Sequence, residues 1–537
     1  LFLFALSFSD AYKILVYNSK YGHSHSYFMG RIADILAEAG HEVTSLVPIL
    51  DETVPDGTTK SKVIHVQQDP RAVEEAKATR QDMDFYSMDS FSILAQLFVG
   101  RYLGKVFSYT CEKTLDEPGL IDKLRAETFD VMISEHFDMC GLGISHLIKP
   151  RAYIGASATE IMNHEYEEFG VPRSLSYNPG SYMTHLNVHS MWSRIKNIYA
   201  EFLINIFFHD TRTKVEAVFK NKFGKEFPDF VKLSSHSAYV FTNSEPLIDF
   251  AVPTLTRVIP IGGLNAKDPK PLDEKWSGIL SSRPRAVLIS FGSVVQSYML
   301  PIEVKRNMLK TISSFPEITF IWKYEKDDEF AKGEAAKVKN LHLAKWQPQV
   351  DILNHPNLAV FITHGGMGST QETAMRGVPG VFIPFFGDQP RNAGMMHHNE
   401  LGIAIEKGEL GDAVKLTAVL RELLENEKYR KNAKRIAAML SKKPFSSKQQ
   451  LVKYTEFAAE FGPSSALRPQ SHDMSSIAYH NIDVVLFLVL ISFGLALLLL
   501  YILLKKIFGK KGEKAKSAPQ DSSSPDAISP LLPAKNN

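Results

Sequence analysis

Residues 346–389 read WQPQVDILNHPNLAVFITHGGMGSTQETAMRGVPGVFIPFFGDQ. The segment 358–363 is largely apolar up to Thr363, as in a buried strand, and the residues HGGMGS follow it at once. Glycine lets a backbone approach a ligand closely, and the free N–H groups at a helix start attract anions. We therefore expect a strand, a glycine turn and a helix start that together hold a phosphate group.

The side chains around this predicted phosphate site suit a nucleotide. His364 and Ser369 add an imidazole and a hydroxyl, and Glu372 follows one helical turn after Ser369, where it can accept two hydrogen bonds from a ribose diol. Trp346 can stack on a flat base, and Gln349 can bind the edge of that base through its amide.

Asp388 and Gln389 follow the next predicted strand, at 380–383, and an acidic and an amide group at the end of a strand suit sugar hydroxyls. Taken singly, these residues have plainer interpretations, such as Trp346 as a core residue and Asp388 as a helix N-cap. Their order within one segment of 44 residues favours a nucleotide-sugar site.

The two halves of the chain begin with the same pattern. An apolar strand at 12–18 is followed by a predicted helix at 26–39 and a strand at 41–47, and residues 285–291 start the plan again. Strands that alternate with helices predict parallel, doubly wound sheets in an α/β fold. The remaining predictions are a helix at 302–314 and strands at 129–134, 151–155, 237–242, 317–324, 340–344, 358–363 and 380–383.

A polar, proline-rich crossing separates these halves and predicts the main domain boundary. The segment 157–235 is rich in aromatic residues, which favours core packing, with an apolar ligand pocket as the alternative. The predicted segments are an N-terminal domain at 12–262, a linker at 263–284, a C-terminal domain at 285–445, a helix at 446–461 and a second linker at 462–483.

The beginning of the chain has the composition of a targeting signal. Residues 1–8 are almost wholly apolar, and residues 9–11 supply the small side chains that a signal peptidase prefers. We interpret residues 1–11 as the remnant of a secretory signal peptide. A buried first strand is the alternative, although residues 12–16 already provide that strand.

The end of the chain predicts a membrane anchor. Residues 484–504 carry no charge, and at ~1.5 Å per residue such a helix crosses a hydrocarbon layer of ~30 Å. The lysines that follow it should remain in the cytosol, so the tail at 505–537 is predicted to be cytosolic, and from Lys510 its composition favours disorder. The catalytic domains are then lumenal, in a single-pass type I topology.

The overall charge points to no polyanionic partner, because 61 basic residues balance 59 acidic ones, and nucleic acid is not expected. Cys111 and Cys140 could form at most one internal disulfide and make no metal site. The sequence leaves the oligomeric state open and is compatible with a homo-oligomer.

The segment 346–389 resembles the signature of the UDP-glycosyltransferase family, and the resemblance extends over nearly the whole chain. It is greatest to the animal branch, whose members conjugate lipophilic compounds in the lumen of the endoplasmic reticulum. The resemblance implies a GT-B fold of two facing Rossmann-like domains, the first for the acceptor and the second for the UDP-sugar. The matching positions are Trp346, Pro348, Gln349, His355, Thr363, His364, Gly366, Ser369, Glu372, Gly377, Val378, Pro379, Pro384, Asp388 and Gln389.

The resemblance also implies a role for each donor-site residue, with UDP-glucuronic acid or UDP-glucose as co-substrate and no further cofactor. Arg391 could meet the carboxylate of a glucuronic acid or face solvent. At Met367-Gly368 the chain departs from plant members, which usually carry Trp-Asn, so a backbone contact survives there but an amide contact does not. The implied roles are uracil binding by Trp346 and Gln349, diphosphate binding by Ser293, His364, Gly366, Gly368 and Ser369, ribose binding by Glu372, and sugar binding by Asp388 and Gln389.

The catalytic pair implied by the resemblance lies in the first half. The family's base belongs to a Ser-His pair sixteen residues before the His of a Gly-His-Glu-Val strand, which selects His25, with His23 as a neighbour and His41 as structural. The partner carboxylate is Glu135, where many animal members carry Asp, and Asp138 is the alternative.

We therefore expect His25 to take the proton of a small lipophilic acceptor's hydroxyl, which attacks the sugar with inversion and without a metal. Asp82-Met83-Asp84 could indicate metal dependence, but it lies far from the phosphate site in the sequence. The alternatives are an NAD-type oxidoreductase, which lacks its glycine fingerprint here, and a non-catalytic membrane receptor, against which His25 and the donor residues argue.

Overall fold

The computed structural model describes residues 11–82, 84, 86–264 and 268–516. The predicted signal-peptide remnant at 1–11 therefore lies outside the described residues except for Ala11, and so does Met83 of the Asp-x-Asp motif. The chain forms two compact units, one that ends at Pro469 and one that begins at Gln470.

The first half of the larger unit contains, within the described residues, a parallel sheet of seven strands. These strands are β1 (Lys13–Tyr17), β2 (Glu42–Pro48), β3 (Lys62–Val66), β4 (Val131–Glu135), β5 (Ala152–Ser157), β6 (Tyr239–Thr242) and β7 (Val258–Pro260). They pair in the order β3-β2-β1-β4-β5-β6-β7. The helices of this half are α1 (His23–Glu38), α2 (Pro70–Asp82), α3 (Ile93–Asp116), α4 (Leu120–Ala126), α5 (Cys140–Ile148), α6 (Asn163–Phe169), α7 (Met191–Phe223) and α8 (Phe230–Ser235).

The second half repeats this plan with six described strands. Its helices are α9 (Glu274–Ser281), α10 (Ile302–Ser313), α11 (Glu329–Lys332), α12 (Gln349–Leu353), α13 (Met367–Arg376), α14 (Gln389–His398), α15 (Ala413–Glu425) and α16 (Glu427–Ser441). Its strands are β8 (Arg285–Ser290), β9 (Ile318–Lys323), β10 (Leu341–Ala344), β11 (Leu358–Thr363), β12 (Gly380–Phe382) and β13 (Gly402–Ala404). They pair in the order β10-β9-β8-β11-β12-β13, all parallel.

Both sheets are buried on two faces, which explains their continuous apolar runs. Ile14, Leu15 and Val16 of β1 are fully buried, as are Val287 and Leu288 of β8. In each sheet the strand order reverses once, between β1 and β4 and between β8 and β11. The crevice outside the carboxyl ends of the strands at such a reversal is where doubly wound folds bind ligands.

Two helices pack differently from what the predicted domain boundaries imply. The predicted linker at 263–284 contains α9, whose Trp276 and Leu280 pack in the core around β8, so this part of the linker belongs to the second half. Helix α17 (Ser447–Phe461) follows the second half, yet its Leu451 and Ala458 pack in the core of the first sheet. The chain therefore returns to its first half before it leaves the globular unit.

A disulfide joins Cys111 of α3 to Cys140, the first residue of α5. The sequence had allowed this pair without requiring it. Cys140 closely follows Glu135, so the bond attaches the loop after β4 to helix α3.

The second unit contains α18 (Ser476–Tyr479) and the long helix α19 (Ile482–Lys516). Within the described part of the chain, Ile482–Phe508 is the one helical segment long and apolar enough to cross a membrane by length and composition. The predicted disorder from Lys510 is wrong up to Lys516, because the helix continues through these residues. Extending an existing helix costs far less than nucleating one, and lysine is a good helix former.

Candidate active site

His25 and Glu135 lie at the strand-order reversal of the first sheet. His25 is in the first turn of α1, directly after β1, and Glu135 is the last residue of the neighbouring strand β4. The His25 Nδ1 atom is 2.6 Å from Glu135 Oε1, and both side chains are largely buried. The parallel order of β1 and β4 brings together two residues that are 110 positions apart in the chain.

Glu135 is held by contacts to both of its carboxylate oxygens. Tyr21 donates its hydroxyl to Oε2 at 2.9 Å, and the backbone N–H of Ala158 donates to Oε1 at 3.1 Å. An ionised carboxylate fixed in this way accepts the Nδ1–H of His25, which leaves the Nε2 atom of that ring as a proton acceptor. The pair has the arrangement of a general base and its orienting carboxylate.

The pKa of His25 is raised above its ordinary value, although burial alone lowers it. The charge and the hydrogen bond of Glu135 are the main causes of the rise, and the charges of Asp388 and Asp138 add to it. Asp388 belongs to the second half of the chain, so its contribution places the predicted sugar site within electrostatic reach of His25.

Aromatic rings enclose the base. The rings of Tyr21 and Phe137 lie 4.8 and 4.9 Å from the His25 ring, and Phe107 lies 5.0 Å from Tyr21. Phe208 of α7 contacts Phe137 at 5.4 Å and extends this apolar wall. Aromatic side chains of the segment 157–235 therefore pack in the core, as predicted, and one of them, Phe208, also contacts the aromatic wall around His25.

The alternative candidates lie elsewhere. Asp138 is buried, accepts from the backbone N–H of Cys140 at 3.0 Å, and has its pKa raised to about 7, mainly by burial. His23 is exposed, and the buried His41 lies 3.6 Å from Glu456 of α17, consistent with a structural role. Asp84, the second acid of the Asp-x-Asp motif, accepts from the backbone N–H of Tyr86.

The second sheet carries the glycine turn at its own strand-order reversal. His364 follows β11, and Gly292 follows the neighbouring β8. A Cβ atom would lie 2.7 Å from the His364 ring at Gly292 and 2.5 Å from it at Gly366, and Gly365 has a φ of +79°. The imidazole therefore fills a space that only glycines leave open, beside the first N–H groups of α13.

His364 is neutral at physiological pH. Burial lowers its pKa to about 4, and the charge of Lys323 contributes. The ring can donate a hydrogen bond to a phosphate but cannot supply a positive charge.

Lys323 was not among the predicted site residues. It is the last residue of β9, the neighbour of β8, and its Nζ atom donates to the Gly292 carbonyl at 2.6 Å and lies 5.9 Å from the centre of the Trp346 ring. Burial lowers the pKa of Lys323, and the charge of Glu325 opposes this effect. Its place at the carboxyl end of a strand beside the glycine turn is the signal that could have identified it.

Three of the predicted donor residues form one hydrogen-bonded group. The Gln349 amide, at the start of α12, donates to Ser369 Oγ at 3.1 Å and to Glu372 Oε2 at 2.7 Å. Ser369 and Glu372 lie one turn apart on α13, as their spacing predicts. Trp346, three residues before Gln349 in the chain, is 73% exposed, so a large ring surface is open to a base.

Ser293 and Gly368 differ from the enclosed glycines. Ser293 is exposed in the loop after β8. A Cβ atom at Gly368 would meet nothing within 4 Å, so packing inside the protein does not require glycine there.

Asp388 and Gln389 lie at the start of α14. Asn392 donates to Asp388 Oδ2 at 2.6 Å, and burial raises the pKa of Asp388, against the effect of this hydrogen bond and of the His25 charge. The Gln389 amide oxygen accepts from the backbone N–H groups of Phe385 and Phe386 at 2.9 and 3.3 Å. Its amide nitrogen is therefore the end that suits a ligand.

Arg391 is 4% exposed, so the alternative that it faces solvent is wrong. Its Nη2 atom is 2.8 Å from Asp249 Oδ1. Its Nε atom donates to the Pro179 carbonyl at 3.3 Å and lies 3.8 Å from a carboxylate oxygen of Glu160. The guanidinium thus joins the second half of the unit to the first, next to the sugar-site loop.

Comparisons with known proteins give a consistent result. A family model described as "UDP-glucoronosyl and UDP-glucosyl transferase" matches residues 12–515. UDP-glucuronosyltransferase 3A1 of Bos taurus is 28% identical over 507 residues, which are 91% of this chain and 92% of the relative. UDP-glucuronosyltransferase 3A2 of Homo sapiens is 28% identical over 500 residues, 90% of this chain and 92% of the relative.

A similar solved structure is that of Os79 from O. sativa in complex with U2F and trichothecene. It covers 83% of this chain and 100% of its own, with a TM-score of 0.60 and 16% identity. This likeness confirms the predicted GT-B fold. Because the family model matches nearly the whole chain, the protein belongs to the family of UDP-glucuronosyl and UDP-glucosyl transferases, enzymes that transfer a hexose from a UDP-sugar to an acceptor.

Proposed function

We propose that this enzyme transfers the sugar of UDP-glucuronic acid or UDP-glucose to a hydroxyl of a small lipophilic acceptor, with inversion at the anomeric carbon. The observation that carries the proposal is the 2.6 Å contact between His25 and Glu135, close enough to Asp388 for its charge to raise the pKa of His25. A base and a sugar site within electrostatic reach of each other are what direct displacement requires.

In this mechanism the Nε2 atom of His25 takes the proton of the acceptor hydroxyl. The hydroxyl oxygen forms a bond to the anomeric carbon while the bond from that carbon to the UDP oxygen breaks on the opposite face. Glu135 stabilises the imidazolium that forms, and the proton then passes to solvent. Attack opposite the leaving group inverts the configuration.

The departing UDP carries the negative charge that must be stabilised. The first N–H groups of α13 and the neutral His364 donate hydrogen bonds to the diphosphate, and Lys323 supplies a positive charge beside Gly292. Ser293, Ser369 and the backbone at Gly366 and Gly368 complete this set. With these groups the mechanism requires no divalent metal.

The remaining donor residues hold the nucleoside and the sugar. Trp346 stacks on uracil, Gln349 and Glu372 bind its edge and the ribose diol, and Asp388 with the Gln389 amide nitrogen binds sugar hydroxyls. The names of the two mammalian relatives support UDP-glucuronic acid as donor. Arg391 gives no support for glucuronate over glucose, because Asp249 already neutralises it.

The proposed location is the membrane of the endoplasmic reticulum, with the catalytic unit in the lumen and α19 as a single-pass anchor. The apolar segment Ile482–Phe508 and the lysines at its end support this topology. The Cys111–Cys140 disulfide fits an oxidising compartment.

A donor panel tests the proposal directly. The full-length protein in detergent is incubated with several UDP-sugars and a mixed set of phenol and steroid acceptors, and the products are read by mass. We expect adducts of one hexose or hexuronic acid and an inverted anomeric configuration by NMR. A product with retained anomeric configuration would exclude the mechanism. If no product forms with any UDP-sugar, although a UDP-sugar still raises the melting temperature of the protein, the result would favour a non-catalytic receptor.

A further inference from the structure

Helix α14 carries the predicted sugar-binding residues at its start, and it also packs against the first half of the chain. The backbone N–H of Arg391 donates to the Ser181 carbonyl at 3.2 Å, and its Nε atom donates to the Pro179 carbonyl. About one turn later, a Cβ atom at Gly394 would lie 2.1 Å from the Thr184 carbonyl oxygen. The glycine therefore lets the backbone of the first half touch the backbone of α14.

The first-half residues of this contact belong to one irregular segment. Residues 175–185, which we call the bridging segment, run between α6 and α7 without a helix or a strand. Since they form no regular ladder of backbone hydrogen bonds, side chains must fix their shape. Asn197 of α7, which is fully buried, accepts from the Gly180 N–H at 2.8 Å through Oδ1. Its Nδ2 atom donates to the Leu175 and Asn178 carbonyls at 2.8 and 2.9 Å.

A second side chain fixes the later part of the bridging segment. The Tyr182 hydroxyl donates to the Gln96 amide oxygen of α3 at 2.7 Å, and both residues are buried. The Tyr182 ring packs in the core with Leu203 of α7. The bridging segment is therefore held by two helices of the first half.

The second half holds the same helix α14 through a different residue. Asn392 is fully buried, and its Nδ2 atom donates to the Gly365 carbonyl at 3.0 Å and to Asp388 Oδ2 at 2.6 Å. Gly365 belongs to the glycine turn of the predicted phosphate site. The start of α14 thus has one attachment to the phosphate site and another to the first half.

These two attachments correspond to two requirements of the transfer reaction. The nucleotide and the diphosphate are assigned to residues that lie outside α14, whereas the sugar is assigned to Asp388 and Gln389 at its start. The base His25 belongs to the first half, so the sugar must be placed accurately with respect to that half. A displacement of about 1 Å between reacting groups can lower a rate by about 10²-fold.

We infer that the bridging segment sets the position of α14 against the first half, and that Asn197 is thereby a positioning residue for the donor sugar. This inference rests on the proposed function, because it takes Asp388 and Gln389 as the sugar-binding residues. It assigns part of the donor site to the half of the chain that binds the acceptor. Loss of the contact should therefore impair sugar transfer and leave UDP binding intact.

Two substitutions test the contact from its two sides. Gly394→Ala forces α14 or the bridging segment to move, while alanine favours the helix itself. Asn197→Ala removes the bonds that shape the bridging segment and changes no atom of the second half.

Each substitution has a matched control. Gly278→Ala changes an exposed glycine of α9, where a Cβ atom meets nothing within 4 Å. Asn340→Ala changes a buried asparagine whose Nδ2 atom also donates only to backbone carbonyls, those of Ile312, Phe315 and Ile318. The melting temperature of each full-length variant in detergent shows whether it is folded.

The measurements are the Kd of UDP by calorimetry and the kcat with whichever of UDP-glucose and UDP-glucuronic acid the native enzyme uses. We expect kcat to fall roughly 10- to 100-fold in Gly394→Ala and in Asn197→Ala. The Kd of UDP should keep its native value, because Asn392 still holds α14 to the glycine turn. Both controls should keep the native kcat, and Asn340→Ala should only lower the melting temperature.

Several results would overturn the inference. They are an unchanged kcat in the folded variants, a loss of UDP binding that equals the loss of kcat, and an equal fall of kcat in Asn340→Ala. A fall in Asn197→Ala alone would assign the effect to the acceptor pocket and would also overturn it.

Failure of the proposed function is distinguished by the native enzyme, which would then form no product from either UDP-sugar. In that case the ratio of the Kd of UDP-glucose to the Kd of UDP decides. A ratio that changes in Gly394→Ala and Asn197→Ala and in neither control would support the positioning role without transfer. An unchanged ratio would refute the positioning role as well.

Discussion

The two strand-order reversals of the catalytic unit have the same backbone layout and opposite chemistry. Between β1 and β4, side chains do the work: His25 and Glu135 meet at 2.6 Å inside an aromatic wall. Between β8 and β11, backbone groups form the site, because glycines leave room for a neutral His364 and for the free N–H groups of α13.

The difference follows from what each site binds. A proton must be taken by one atom of suitable pKa, so the first site needs a titratable side chain and a fixed partner. A diphosphate spreads its charge over many oxygens, so the second site needs several donors at close range, which backbone N–H groups provide when no Cβ atom intervenes. One topology therefore serves both purposes, and the residue types at its edge determine which.

His25→Ala gives the largest expected effect, because it removes the group on which the first site depends. Turnover should fall roughly 10²- to 10⁴-fold, the usual contribution of a general base. Initial rates with saturating UDP-sugar measure it, and His23→Ala, an exposed neighbour in the same turn, is the control. Unchanged turnover in His25→Ala, with the UDP-sugar still protecting the variant thermally, would show that the base lies elsewhere.

Glu135→Gln removes the charge of this side chain but keeps its size, so it tests how far that charge raises the pKa of His25. In the native enzyme the acidic limb of kcat/KM lies at the raised pKa of His25, and activity is lost as the pH falls through that value, because the base becomes protonated. Without the Glu135 charge, the remaining effect of burial lowers the His25 pKa, so the limb should move to lower pH while the maximal rate falls. A pH–rate profile measures both, and a limb that stays in place would assign it to another group.

Glu372→Ala sharpens the comparison on the donor side. The substitution removes the carboxylate that accepts from the Gln349 amide and that is predicted to accept from the ribose hydroxyls. Because hydrogen bonds to charged groups contribute about 1.5–3 kcal/mol, the KM for UDP-sugar should rise roughly 10- to 100-fold. Glu317→Ala, exposed before β9 at the other edge of the same sheet, is the control. An unaltered KM would exclude the ribose assignment.

A pair of glycine substitutions tests whether the second site works through its backbone. Gly366→Ala places a Cβ atom 2.5 Å from His364, so it should lower the melting temperature of the free protein and weaken UDP binding. Gly368→Ala meets no protein atom within 4 Å and gains helix propensity, so the free protein should keep its melting temperature, and only the protection by UDP should shrink. Thermal shifts with and without UDP distinguish the two. Full protection of Gly368→Ala would remove Gly368 from the site.

Chelation gives the smallest expected effect. The mechanism assigns the leaving-group charge to α13, His364 and Lys323, so initial rates with and without excess EDTA should agree. Loss of activity that added Mg²⁺ restores would show that the second site depends on a cation and not on its own donors.

The sequence predicts what depends on local spacing. The alternation of strands and helices brings His25 and Glu135 to one edge, and the helical period puts Ser369 and Glu372 on one face. The predicted strand at 317–324 places Lys323 near the end of a strand, but its contacts to Gly292 and Trp346 could not be predicted, because they depend on how three separate strands end side by side. The partner of Arg391 is similarly distant, since Asp249 belongs to the other half. The neutrality of His364 comes from burial, which no spacing encodes.

Helix α17 has a consequence for anyone who recombines such enzymes. Its Leu451 and Ala458 complete the core of the first sheet, although the chain reaches them only after the whole second half. An exchange of acceptor specificity between two relatives by a single crossover near residue 270 would pair each first sheet with a foreign α17. A chimera that keeps its stability therefore needs two crossovers, one near residue 270 and one before residue 446. Residues 446–461 then come from the same relative as the first half, and the second half is exchanged as an internal segment.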